Sequence, residues 1–267
     1  MLALPLQRAI AIAVILFSAG VSAARASTII DLGSGGSGTA NGAIYEWTDF
    51  GPTGTGTVDA FLRIQGNGIE RGYNHSLGFS APWDTKPGLW THDIQYEDLV
   101  VRNVLGVDYY EFLLDINEAA NDENRLLSLN NVQIFTRDGA ISSGPNEDFS
   151  DLGTQRFNSD TGADGDTTVN LDYTLNDGSG TGDMFLLVPV DNFAGTLPGD
   201  FVYFFSEFGN PNESDAGFEE WSMRQQLAAG GGEGGGGVPD NTAPVPEPGS
   251  MMLLGTGLLF AARKLRG

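Results

Sequence analysis

Thr168-Val169-Asn170-Leu171-Asp172-Tyr173-Thr174-Leu175 alternates polar with apolar residues along its whole length. A period of two places Val169, Leu171, Tyr173 and Leu175 on one face of an extended chain, the pattern of a half-buried strand. The turn-forming run Asn176-Asp177-Gly178-Ser179-Gly180-Thr181-Gly182 follows, and residues 184–190 are again apolar. Two strands joined by such a loop predict a long hairpin. Outward from this pair, Phe201-Val202-Tyr203-Phe204-Phe205 begins a strand over 201–208. Residues 43–48, 58–65, 99–104, 107–116 and 132–136 read as further strands, separated by loops rich in Gly, Asp and Asn. Helical periodicity is confined to short turns around 118–127 and 223–229. Many short strands without interleaved helices predict an all-β fold, a single β-sandwich of jelly-roll type over residues 27–229.

The composition agrees with a globular body of this class. Of 267 residues, 38 are Gly, which favours turns over helices, while 16 Phe and 40% hydrophobic residues supply a core. There is no Cys, so disulfides, thiolate metal sites and Cys nucleophiles are excluded; two histidines, His75 and His92, exclude a three-His metal centre. The acidic balance, 35 Asp and Glu against 13 Lys and Arg, excludes the basic face that nucleic-acid binding needs.

Both ends of the chain read as addresses. Arg8, the apolar run that starts at Ala9, and Ala24-Arg25-Ala26 before Ser27 have the layout of a signal peptide over residues 1–26, removed by signal peptidase on export. Its apolar run is shorter than the ~20 residues a membrane span needs. Residues 230–244 are Gly- and Pro-rich and read as a linker. Beyond it stand Val245-Pro246-Glu247-Pro248, an apolar segment over 251–262, and the basic stop Arg263, Lys264 and Arg266. Without these termini, residues 27–246 hold 34 acidic and 8 basic residues. Such a face repels acidic polysaccharide unless divalent cations intervene, so calcium is the one cofactor that the charge calls for.

The tripartite ending over residues 245–267 resembles the PEP-CTERM sorting signal of exported Gram-negative proteins. The resemblance implies recognition of Val245, Pro246, Glu247 and Pro248 by an exosortase, a membrane transpeptidase-like protease. It also implies transient anchoring in the inner membrane through the apolar segment, then delivery to the cell surface or beyond. Extracellular polysaccharide is an implied neighbour, because such signals occur in bacteria that make it. The resemblance concerns delivery and leaves the role of the body open.

Chemistry in the body can concentrate only in the acidic loops. Asp160, Asp164 and Asp166 alternate with small residues as calcium loops do, although Gly162 and Leu171 stand where the helix-loop-helix pattern wants ligands. Asp115, Glu118 and Asp122 form a second cluster after the strand at 107–116. In each place a solvated turn is the alternative. Thr53-Gly54-Thr55-Gly56-Thr57 reads as a glycine-rich turn rather than a threonine ladder. Each His is expected at the surface or a rim, and no Gly-x-Ser-x-Gly elbow appears. Glu219-Glu220-Trp221 would project its two carboxylates to opposite faces of a strand. Trp83 and Trp90, in a loop with two prolines, are the candidates for stacking on sugar rings, while Trp47 belongs in the core.

Together these readings lead to an exported, non-enzymatic cell-surface or extracellular-matrix protein with a structural or adhesive role. A calcium-assisted carbohydrate-binding module is the alternative, and a polysaccharide hydrolase using two carboxylates is the third reading.

Overall fold

The computed structural model describes residues 27–49, 58–121, 124–144, 147–176, 181–215 and 217–224. The stretches expected as signal peptide (1–26) and linker (230–244), residues 53–57, Asp122 and the whole sorting segment, including Val245 to Pro248 and Arg263, Lys264 and Arg266, lie outside them. The described residues form fourteen strands in chain order: β1 Ser27–Asp31, β2 Ser37–Ala40, β3 Ala43–Trp47, β4 Val58–Ile64, β5 Glu70–Tyr73, β6 Ile94–Gln95, β7 Val101–Val104, β8 Val107–Asp115, β9 Leu126–Arg137, β10 Thr154–Asn158, β11 Asp166–Asp172, β12 Met184–Pro189, β13 Phe201–Phe208 and β14 Glu219–Arg224.

These strands make two seven-stranded sheets that pack as a sandwich. The first runs β1-β11-β9-β13-β5, with β10 on β9 and β6 on β13; the second runs β2-β3-β12-β8-β14-β4, with β7 on β8. Pairing is antiparallel except at one edge, where β1 runs parallel to β11. Between the sheets, Phe204 of β13 meets Phe61 of β4, Phe112 of β8 and Trp221 of β14, with ring centroids 5.6, 5.0 and 4.6 Å apart. Aromatic residues of both inner faces thus interdigitate as sandwich cores require.

A third layer explains why the run at 201–208 is apolar at successive positions rather than at alternate ones. Tyr203 and Phe205 turn outward from β13 and are still buried. The segments after β5 and after β9 fold back over that face and bring Trp83, Ile141 and Leu152 onto them. A strand covered on both faces loses its polar alternation.

Two expectations change. The strands that flank residues 176–182 do not form a hairpin: β11 pairs with β9 and β1 in the first sheet, whereas β12 pairs with β3 and β8 in the second. The extended run also stops at Asp172, whose side chain accepts from Thr174 N–H and opens a 3-10 turn over Tyr173–Leu175. The loop therefore crosses between sheets. Of the helical turns expected around 118–127 and 223–229, what is described is one turn in which Arg125 N–H reaches the Asn121 carbonyl at 3.1 Å before β9 begins at Leu126, and the last residues of β14. Propensity for a turn of helix yields there to ladder bonding and burial.

Candidate functional site

The loop after β5 and the segment before β6 form an open cleft of about 270 Å³, lined by His75, Ser76, Gly78, Pro87, Gly88, Thr91 and His92. Both histidines of the chain line it, together with Ser76 and Thr91. His75 is 1% exposed, so it is not the surface residue that the sequence suggested. Its ring stacks on Phe79 at 3.8 Å. Nδ1 accepts from Leu77 N–H at 3.3 Å, so the proton of the neutral ring sits on Nε2, which is buried without a partner. Burial pushes the imidazole down to about 4, against the opposing pull of Asp93, so it is uncharged at neutral pH.

His92 is the rim residue that was expected. Its Nε2 lies 3.6 Å from Asp59, and that carboxylate, more than anything else around the ring, raises its pKa above the usual imidazole range. Ser76 Oγ accepts from Asp93 N–H at 2.9 Å. His75 Nε2 is closed to solvent, so the cleft presents Ser76, Thr91 and His92 to a ligand rather than this N–H.

The tryptophans separate. Trp83 is 4% exposed and packs against Tyr73, Phe149 and Phe205, which removes it from any sugar-stacking role. Its loop is a core-forming flap rather than an exposed platform. Trp90 is half-buried beside the cavity, with the Arg63 guanidinium 5.0 Å from its ring centroid.

In the acidic loop at 158–166, protein donors already meet the carboxylates. Asp160 accepts from Thr167 N–H at 3.1 Å and from the Asn131 amide. Asp164 accepts from Asn41 N–H at 2.8 Å and donates its own N–H to Asn41 Oδ1. The Asn41 amide nitrogen also reaches the carbonyls of Ser159 and Gly165, at 2.6 and 2.9 Å. The amide takes up carbonyl oxygens that a calcium ion would otherwise collect. Gly162 is required here, because its φ is +126° and a Cβ would lie 2.4 Å from Asn41 Oδ1. Asp166 is exposed at the start of β11.

Asp115 ends β8 beside Asp183, and Glu118 lies beyond it, 3% exposed, with Oε2 accepting from Asp215 N–H at 3.2 Å. Burial raises Glu118 to about 8. Among the described residues no three His, Asp or Glu side chains group closely enough to hold an ion by themselves. No described helix is long and apolar enough to cross a membrane.

Sequence reasoning missed Glu70 and Asp183, buried carboxyls at or just before the first residues of strands, whereas Glu219 was named and, as expected, faces away from Glu220, inward and 0% exposed. An acidic residue directly preceding an apolar strand was the available signal. It is weak, because exposed strand ends carry the same residues.

Residues 244–266 match the family model of the PEP-CTERM protein-sorting motif. No curated protein and no solved structure matches the chain.

Proposed function

We propose that this protein, exported and sorted through its PEP-CTERM motif by an exosortase, serves at the cell surface or in the extracellular matrix as a non-enzymatic structural or adhesive domain. The observation that carries the reading is a sorting motif closing a chain whose body is one two-sheet sandwich. The engaged Nδ1 of His75 supports a non-catalytic role. The test is replacement of Pro246-Glu247-Pro248 by alanines. Export continues, but the variant stays in the inner membrane, and mass spectrometry finds the wild-type extracellular form truncated near the motif. An intact Gly267 terminus on the abundant wild-type extracellular form would overturn the processing step.

A second reading, carbohydrate binding, is favoured by the unpartnered Nε2–H of His75, which is buried behind the lining of the cleft and meets a sugar hydroxyl only once that lining opens. On a glycan array the wild-type protein then binds a neutral saccharide. His75→Asn, which keeps an acceptor for Leu77 N–H but withdraws the imidazole donor, lowers that binding at least tenfold. Equal binding by both forms removes the cavity from the reading.

A further inference from the structure

At one end of the sandwich two carboxylates face each other between the sheets. Glu70 opens β5 and is paired with Phe208, an inner-face residue of the first sheet; Glu219 opens β14, two residues before the inner-face Trp221 of the second. Both are 0% exposed. Three loops are tied together around them. Gly68 and Ser214 exchange main-chain hydrogen bonds of 2.7 and 3.1 Å, and Asp215 N–H reaches Glu118. Gly217, with φ +63°, packs so tightly that a Cβ would lie 2.1 Å from the Asn117 carbonyl.

The oxygens enclosed there are in excess of donors. Glu70 Oε2 accepts from Gly66 N–H, but Glu70 Oε1, both carboxylate oxygens of Glu219 and the Ser214 hydroxyl, which is 2% exposed and faces the Glu118 carboxyl, meet no partner at hydrogen-bonding geometry. The groups facing Glu219 are the carboxyls of Glu70 and Glu118 and the main-chain N–H of Asn117. Among the described residues, Arg63 pairs with Glu220, Arg71 with Glu207, Arg102 with Glu46 and Glu111, and Arg125 with Asp172; no ion pair reaches Glu70 or Glu219. Charge buried in this way must be cancelled by protons or by a cation. A proton on each carboxyl cancels the charge but gives each group one hydrogen, so the oxygen-rich cluster still holds more acceptors than donors. A hard divalent cation uses them all and cancels two negative charges.

We propose that Glu70 and Glu219, with the Ser214 hydroxyl, bind one calcium-class divalent cation that staples the loops preceding β5, β9 and β14. Two carboxylates suffice for such an ion when loop carbonyls and water complete its shell of six to eight oxygens, so no third acidic ligand is needed. The site is separate from the acidic loop at 158–166 and from the sorting motif, and its failure would leave the sorting reading untouched.

The test is calcium titration of the full chain at neutral pH after chelator treatment, by calorimetry and by Tb³⁺ luminescence. Trp221 lies about 7 Å along the strand from Glu219, close enough to sensitise bound Tb³⁺. One saturable site is expected, with Tb³⁺ emission displaced by calcium and reduced several-fold in Trp221→Phe. Asp160→Asn/Asp164→Asn keeps the site, whereas Glu70→Gln and Glu219→Gln weaken it at least a hundredfold. The Trp221→Phe comparison serves if the Gln variants do not fold. Absence of a saturable site at millimolar calcium would overturn the proposal. So would binding lost in the Asp160/Asp164 variant but retained by the Gln variants, or Tb³⁺ emission indifferent to Trp221→Phe.

Discussion

Trp221→Ala lowers the unfolding free energy by about 4 kcal/mol, close to the middle of the range for removing a buried large aromatic side chain. The indole is wholly buried, tilted against Phe204 at 4.6 Å, and no small rearrangement of a strand held on both sides by β8 and β4 fills the space it leaves. Its Nε1–H also donates to Ser206 Oγ at 3.0 Å. Truncation therefore leaves a fully buried hydroxyl with a lost partner, a further cost of about 1 kcal/mol included in that figure. Trp221→Phe isolates the smaller part: most of the ring contact survives and the hydrogen bond does not, so the loss is about 1–2 kcal/mol. Urea unfolding of the wild type and both variants checks this through a fall in the midpoint at unchanged slope. A loss below 1 kcal/mol for the alanine variant would mean that the centre of the sandwich is not where these residues place it.

Asp183→Asn stabilises the protein at pH 8 and leaves it nearly unchanged at pH 4. Asp183 is 2% exposed and its Oδ2 accepts from Ile116 N–H at 2.8 Å, while Oδ1 has no partner. Burial is the main cause that raises its carboxyl to about 8; Asp115 pushes in the same direction and the Ile116 N–H opposes both. The sign follows from linkage. A carboxyl whose pKa is raised by folding holds its proton more tightly in the folded state, so its stabilising contribution is complete below the ordinary carboxylate range. That contribution is lost as pH climbs toward 8. The slope is about 1.4 kcal/mol per pH unit for one group. Over that window the wild type loses on the order of 5 kcal/mol through this residue. An amide has nothing to titrate, still accepts from Ile116 N–H, and offers its own N–H to the neighbouring Asp115. Glu118, raised to about 8 by burial, titrates alike in both proteins and cancels in the comparison. Chemical denaturation at pH 5 and pH 8 is the measurement, and parallel pH profiles for the two proteins would refute the assignment.

Much of the architecture was legible because β structure writes itself in short periods. The run at 201–208 is strand β13 residue for residue, and 43–48, 58–65 and 107–116 match β3, β4 and β8 to within a residue at either end. The strands that escaped notice are the least apolar ones. Ser37–Ala40 and Thr154–Asn158 carry no alternation, and they are strands because β3 and β9 offer them a ladder. The candidate sites were legible only in part. Glu118 was singled out from its acidic neighbours, yet what surrounds it comes from elsewhere in the chain: Ser214 and Asp215 from one loop and Glu219 from the strand that follows.

By itself the sequence determined the sorting motif, the net charge and the class of fold. The PEP-CTERM motif occupies contiguous residues, the net charge of −22 is a sum that no folding alters, and period-two alternation is a property of neighbours two apart. Only the tertiary structure decided which sheet each strand joins, why Trp83 is buried while Trp90 reaches a rim, and why Asn41 rather than a run of aspartates organises the loop at 158–166. It also decided that Glu70 and Glu219 meet. The physical reason is the same in each case. Alternation says that one face of a strand is buried but not against what, and the choice of partner is made by long-range register and by the burial of polar groups, which depend on residues far apart in the chain.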